Sequence, residues 1–134
     1  MEEIVKEYVF KIQYFEKLIK TKYNLKLNPC LIKDFSFEKK GIIQNFEYRF
    51  HGNGCTFKED NVVYAYDISI FVADEIEFTL WEFSEFLRTH HKYKLYNFNS
   101  EYIEKELEKL INDGILSWLV IAGRIYKTYR VLIS

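Results

Sequence analysis

The hydrophobic period of this chain changes three times along its length, and that alternation constrains the fold more than any single motif. In "EEIVKEYVFKIQYFEKLIKTKY", Ile4, Tyr8, Ile12, Phe15 and Ile19 recur at steps of three and four, which places them on one face of a helix. Glu2 and Lys6, Glu7 and Lys11, and Glu16 and Lys20 stand in the favourable i,i+4 order along it. From Phe46 the period falls to two. "FEYRFH" alternates apolar and polar residues, and "NVVYAYDISIFV" is rich in β-branched and aromatic residues, so both read as strands of an antiparallel meander with "CTFKE" between them. Between helix and meander, Leu25 to Gly41 reads as a connector holding the only proline, Pro29, with room for a short edge strand at "CLIKDFSF".

The helical period returns at "FTLWEFSEFLRTHH". Thr79 as N-cap with Glu82 three residues later is a capping-box signature, and Phe78 can staple onto Phe83, which predicts a helix from about Leu80 to His90. A third helix begins near Asn99 or Ser100 and buries Ile103, Leu107, Leu110 and Ile111, with Gly114 placed to end it. "LSWLVIAGRIYKTYRVLIS" reads as two strands joined near Ala122 and Gly123. The order is α+β: an N-terminal helix, an antiparallel meander, two helices and a C-terminal β-hairpin. Residues 79 to 134 also have the element order of a winged-helix core.

At 134 residues, 49% hydrophobic and 19% aromatic, the chain can bury one core, and residues 1–134 read as one domain. A formal net charge of -1 excludes a global basic field for nucleic acid. Cys30 and Cys55 form no CxxC pair, the N-terminus opens on carboxylates, and no apolar run spans a membrane, so the expectation is a cytoplasmic protein.

Only "HGNGCTF" looks like chemistry, and two hairpin registers compete there. With Gly52, Asn53 and Gly54 as a three-residue loop, His51 faces Cys55 as a thiol–imidazole pair would require. With Asn53-Gly54 as a type I′ turn, Gly52 faces Cys55, His51 faces Thr56 and Phe50 faces Phe57. The second register is preferred. It gathers Phe46, Tyr48, Phe50, Cys55 and Phe57 on one apolar face, and a two-residue Asp60-Asn61 link adds Val62, Tyr64 and Tyr66 to it. Its one discord is Arg49 opposite Lys58.

Zinc-type ligand spacing is missing among Cys30, His51, Cys55, His90 and His91, so neither a metal nor a cofactor is expected. No nucleophile-elbow, phosphate-loop or paired-carboxylate motif appears, so the chain does not read as an enzyme. The third helix would present Glu101, Glu104, Glu106 and Glu108 to DNA against Lys105 and Lys109, which disfavours nucleic-acid binding. The densest negative patch is "ADEIEFTLWEF". Asp74, Glu75, Glu77 and Glu85, with Trp81 as aromatic anchor, make a candidate docking patch for a basic protein, although carboxylates there also suit a helix N-terminus.

"HGNGCTF", the following "YAYDIS" and the late "EYIEKELEKLINDGIL" resemble an uncharacterised family of small bacterial domains with an HG-x-GC centre, over residues 46 to 134. The resemblance implies association with polymorphic toxin systems, hence an immunity-type protein that binds and neutralises a cognate toxin without catalysis. It carries over no active site. Here "YDIS" is less acidic than that family's pattern.

Overall fold

The structure, a computed structural model, describes residues 1–23, 38–51, 54–67, 76–119 and 127–132. The elements are α1 (Glu2–Tyr23), β1 (Glu38–Ile43), β2 (Phe46–His51), β3 (Gly54–Glu59), β4 (Val62–Asp67), β5 (Glu77–Thr79), α2 (Leu80–Thr89), a 3₁₀ turn (Tyr93–Tyr96), α3 (Ser100–Asn112), β6 (Leu116–Leu119) and β7 (Thr128–Val131). The strands form one sheet in the order β1-β2-β3-β4-β5-β7-β6, antiparallel at each pairing. This is the α+β arrangement that the alternating periods predict.

Two elements differ from that reading. Gly41 belongs to strand β1, not to a connector; the suggested strand at "CLIKDFSF" lies outside the described residues. Three residues of the acidic run form β5, which pairs Asp67↔Glu77 on one side and Phe78↔Tyr129 on the other. A strand this short carries no readable period. It nevertheless joins the meander and the C-terminal pair into a single sheet, with β7 inserted between β5 and β6.

Antiparallel sheets can bury one face and leave the other solvated, and here the alternation of burial along β2 to β4 follows that rule. Phe46, Tyr48, Phe50, Cys55, Phe57, Val62, Tyr64 and Tyr66 are all buried, while Glu47, Arg49 and Lys58 are exposed. Helix α1 lies on the buried face. The Phe15 ring sits 4.5 Å from Phe46, 5.0 Å from Phe57 and 5.3 Å from Tyr64. Tyr8 packs edge-on against Phe78 and Phe83 at 5.3 and 5.5 Å, and its hydroxyl donates to the Ala65 carbonyl. Such tilted and edge-to-face contacts suit the ring quadrupoles and add to the area buried.

Of the i,i+4 pairs on α1, Glu7 with Lys11 gives way to tertiary partners, while the Lys20 side chain lies outside the described residues. Lys6 does pair with Glu2 at 3.4 Å, but Lys11 reaches Glu59 beside the β3–β4 turn at 2.8 Å. Glu16 accepts from the Tyr66 hydroxyl at 2.9 Å, and Glu7 is taken by His90 and Tyr93. A partner held in place by the sheet demands less ordering than a mobile lysine on the same helix.

The helix ends follow the capping signals. Thr79 Oγ1 accepts from the Glu82 N–H at 3.2 Å and Glu82 Oε1 accepts from the Thr79 N–H at 2.9 Å, completing the capping box, while the Phe78 and Phe83 rings sit 5.5 Å apart as the staple. Asn99 caps α3 through the Tyr102 N–H at 2.7 Å. At its other end Gly114 takes φ 78°, and the Ile115 N–H donates to the Leu110 carbonyl at 3.0 Å, a Schellman closure. The junction expected near Ala122 and Gly123 lies outside the described residues.

Candidate docking surface

The β2–β3 register corrects both hairpin readings. His51 stands opposite Gly54, Phe50 opposite Cys55, Arg49 opposite Thr56, Tyr48 opposite Phe57 and Glu47 opposite Lys58. The link is two residues long, as preferred, but it is Gly52-Asn53 and not Asn53-Gly54; these two lie outside the described residues. A shift of two positions keeps each residue on its face, so the apolar set survives intact. It also replaces the like-charge opposition of Arg49 and Lys58 with an opposite-charge one, Glu47 against Lys58. The next turn has the expected form, with Asp60 and Asn61 at φ 51° and 67° and Tyr64 opposite Phe57.

This register does not set His51 across from Cys55. Gly54 pairs with His51 on one side and Asp67 on the other, so the three share one cross-strand row. Cys55 is a buried free thiol that burial pushes well above the ordinary thiol range. A thiol held in that state supplies little thiolate, the reactive form. Among the described residues no three His, Cys, Asp or Glu side chains gather as metal ligands would.

Of the acidic candidates, Asp74 and Glu75 lie outside the described residues. Glu77 is engaged within the fold: its Oε1 accepts from Arg130 Nη2 at 2.6 Å and from Arg130 Nε at 3.1 Å, across the β5–β7 ladder. Glu85 accepts from Arg88 Nη2 at 2.6 and 2.7 Å along α2. Trp81, one turn before Glu85, is 75% exposed. An indole left in water on a helix whose other face is buried through Phe83, Phe86 and Leu87 is the clearest unpartnered anchor on this helix.

Downstream of α2 the chain builds a second aromatic feature. His90 caps the helix; the Lys92 N–H donates to its Nδ1 at 3.1 Å, which leaves Nε2 as the proton-bearing nitrogen facing Glu7 Oε1 at 3.2 Å. Tyr93 stacks on that imidazole at 4.3 Å and its hydroxyl donates to the other Glu7 oxygen. Burial, with the Glu7 hydrogen bond next, pushes the Tyr93 phenol up to about 12. This corner fixes the 3₁₀ turn against α1. Asn97 then adopts a left-handed φ of 50°, a conformation asparagine tolerates, and reverses the chain. The reversal stacks Tyr96 on Phe98 at 5.4 Å and 12°, and Phe98 on Tyr102 in the first turn of α3 at 5.3 Å and 11°. Tyr96 and Tyr102 remain 61% and 44% exposed, and Leu95 is 80% exposed.

Two depressions connect Trp81 to this stack. One is lined by Trp81, Ser84, Glu85 and Arg88; the other, of about 210 Å³, by residues of α2, the 3₁₀ turn and α3 that include Ser84, Arg88, Lys94 and Phe98. They share Ser84 and Arg88, and form one groove. Each depression is smaller than ordinary small-molecule pockets and suits a single side chain of a partner. A larger open hollow of about 390 Å³ lies on the outer sheet face by Lys40, Ile42, Glu47, Arg49, Thr56 and Lys58, but Ile42 and Arg49 already have partners within the chain. Periodicity finds the buried sides of α2 and α3 and says nothing of the stack. The signal was the density of aromatics in "YKLYNFNSEY" around Asn97.

A one-sided antiparallel sheet covered by helices, with tryptophan and stacked tyrosines left outside, defines an α+β protein. The chain belongs to the family described as a domain of unknown function, DUF6896, which matches residues 1–131. That description assigns no activity and no partner. Neither the curated proteins nor the solved structures contain a match to the chain. Among the described residues, no helix is long and apolar enough to cross a membrane.

Proposed function

We propose that this protein is a non-enzymatic, immunity-type binding protein that occludes a cognate bacterial toxin. The observation that carries the reading is the exposed aromatic surface of Trp81, Tyr96 and Tyr102, with the half-buried Phe98 between the two tyrosines, since interface hot spots are enriched in Trp, Tyr and Arg. Glu77 and Glu85 are neutralised inside the chain, so the anchor of the reading moves from the acidic patch to the aromatic groove. The buried Cys55, its thiol pushed up by burial, supports a binding role over thiol catalysis, and a free thiol suits a reducing cytoplasm. The test is co-expression with the product of the neighbouring toxin-like gene. Co-purification and rescue of growth, both weakened by Trp81→Ala, are expected; toxicity that persists with the intact protein defeats the proposal.

A second reading, a winged-helix-like nucleic-acid-binding regulator, draws on one observation. The C-terminal half runs strand, helix, helix, strand, strand, with the last strand inserted between the first two. Against it, α3 exposes Glu101 and Glu104, while Lys105 and Lys109 pair with Glu101 and Glu106. A helix entering a groove meets phosphates and needs the opposite sign. A salt-dependent mobility shift of duplex DNA would favour this reading over the first.

A further inference from the structure

The groove beside Trp81 has a sign. From Phe86 to Ser100 the chain carries no carboxylate, yet it carries Arg88, Lys92 and Lys94, all exposed. Arg88 and Lys94 both line the groove, and its one acidic neighbour, Glu85, is already paired with Arg88. Ser84 Oγ, in the same lining, is buried without a hydrogen-bond partner. Phe98 supplies an apolar wall on one side and Trp81 on the other.

We propose that this groove receives a short acidic segment of a partner protein, with a carboxylate between Arg88 and Lys94 and an adjacent apolar side chain against Phe98 or Trp81. The proposal rests on the reading of this face as a docking surface, and it names the partner's chemistry. Arg88 holds Glu85 through Nη2, so a partner carboxylate meets the rest of its guanidinium together with the Lys94 ammonium, a point charge that demands no fixed backbone geometry. A long polyanion fits less well. Glu104 stands exposed on α3, next in sequence to Ile103 of the groove lining, and would repel a continuing phosphate backbone, whereas a peptide can place a neutral residue there.

The test is selection from a phage-displayed random dodecapeptide library on the intact immobilised protein, followed by affinity measurement on the synthetic peptides recovered. Peptides pairing Asp or Glu with an aromatic or aliphatic residue are expected. Their affinity should fall about tenfold or more in the Arg88→Glu, Lys94→Glu double variant and weaken with added salt, while Lys58→Glu on the outer sheet face leaves it unchanged. Both altered positions are exposed, and an unchanged melting temperature excludes a folding defect. Recovered peptides without carboxylates, or affinities indifferent to the double charge reversal, overturn the acidic partner; if Trp81→Ala still abolishes such binding, the docking surface itself stands. Recovery of no peptide overturns the proposal, as does Lys94-dependent retention of a single-stranded oligothymidylate in place of peptide.

Discussion

Phe50 stands directly opposite Cys55 across the β2–β3 ladder, and both are buried beneath α1. The pairing bears on the reactivity of the only cysteine among the described residues. With 2% exposure and a thiol pushed up by burial, Cys55 should resist alkylation in the native protein and react at the unfolding rate once denaturant is present. Peptide mapping by mass spectrometry distinguishes it from Cys30. Fast native labelling at Cys55 would show that the sheet face is open.

The capping box at the start of α2 makes a quantitative prediction. Thr79→Ala removes the acceptor for the Glu82 N–H, and should lower unfolding stability by about 1 to 2 kcal/mol. Glu82→Ala should cost a similar amount, and the double variant less than the sum because the two act as one device. Denaturant midpoints with unchanged m-values check this; additivity would mean that the two caps act independently.

The contrast between Glu77 and Trp81 separates fold from function. Glu77 holds Arg130 across β5 and β7 with its side chain only 13% exposed, so Glu77→Gln should cost about 1 to 2 kcal/mol of stability and leave partner binding unchanged in the folded fraction. Trp81→Ala should do the reverse: stability within about 0.5 kcal/mol, partner affinity down by about 2 kcal/mol or more. Calorimetric unfolding and titration of the same two variants decide it.

These pairs also show where the sequence is legible. The Thr79–Glu82 spacing, the Phe78 staple and the Gly114 stop are local chemistry, and local chemistry can be read from neighbours in the chain. The apolar set on β2 to β4 follows from period two, which fixes faces even when the exact partners are two positions off, as Phe50 and Cys55 show. Strand β5 was hidden because three residues carry no period and their carboxylate, Glu77, looks like a surface charge until Arg130 arrives from 53 positions away. The Tyr96–Phe98–Tyr102 stack depends on one left-handed residue, Asn97, and a spacing of two gives no hint of ring contact in a turn.

Alkaline pH should unfold the protein before its phenols titrate normally. Burial is the first cause in each case: it pushes Tyr93 and Tyr129 up to about 12, and raises Tyr8, Tyr64 and Tyr66 as well. A phenol with a folded value above its unfolded one, near 10, contributes stability that is complete below about pH 10 and lost as pH climbs toward 12. Absorbance at the phenolate band should therefore rise in two stages, exposed tyrosines first and a cooperative remainder coincident with loss of secondary structure. A single smooth titration with the fold retained would contradict the burial of these rings.

Gly41 offers a case in which the structure reverses the usual sign. Glycine inside a strand normally weakens it, so Gly→Ala is ordinarily favourable. Here Gly41 pairs with Tyr48, and a Cβ added at Gly41 would lie 2.8 Å from Tyr48 Cζ, inside contact distance of a ring that is 3% exposed. The ring has little room to withdraw, since it also packs on Phe50 at 5.9 Å. Gly41→Ala should then destabilise by about 1 to 3 kcal/mol, the range for overpacking. In a Tyr48→Leu background the penalty should largely vanish, because the shorter side chain frees the space over the glycine. A double-mutant cycle by chemical denaturation measures the coupling. Equal penalties in the two backgrounds would place the strain in the β1 backbone and not in the Tyr48 ring.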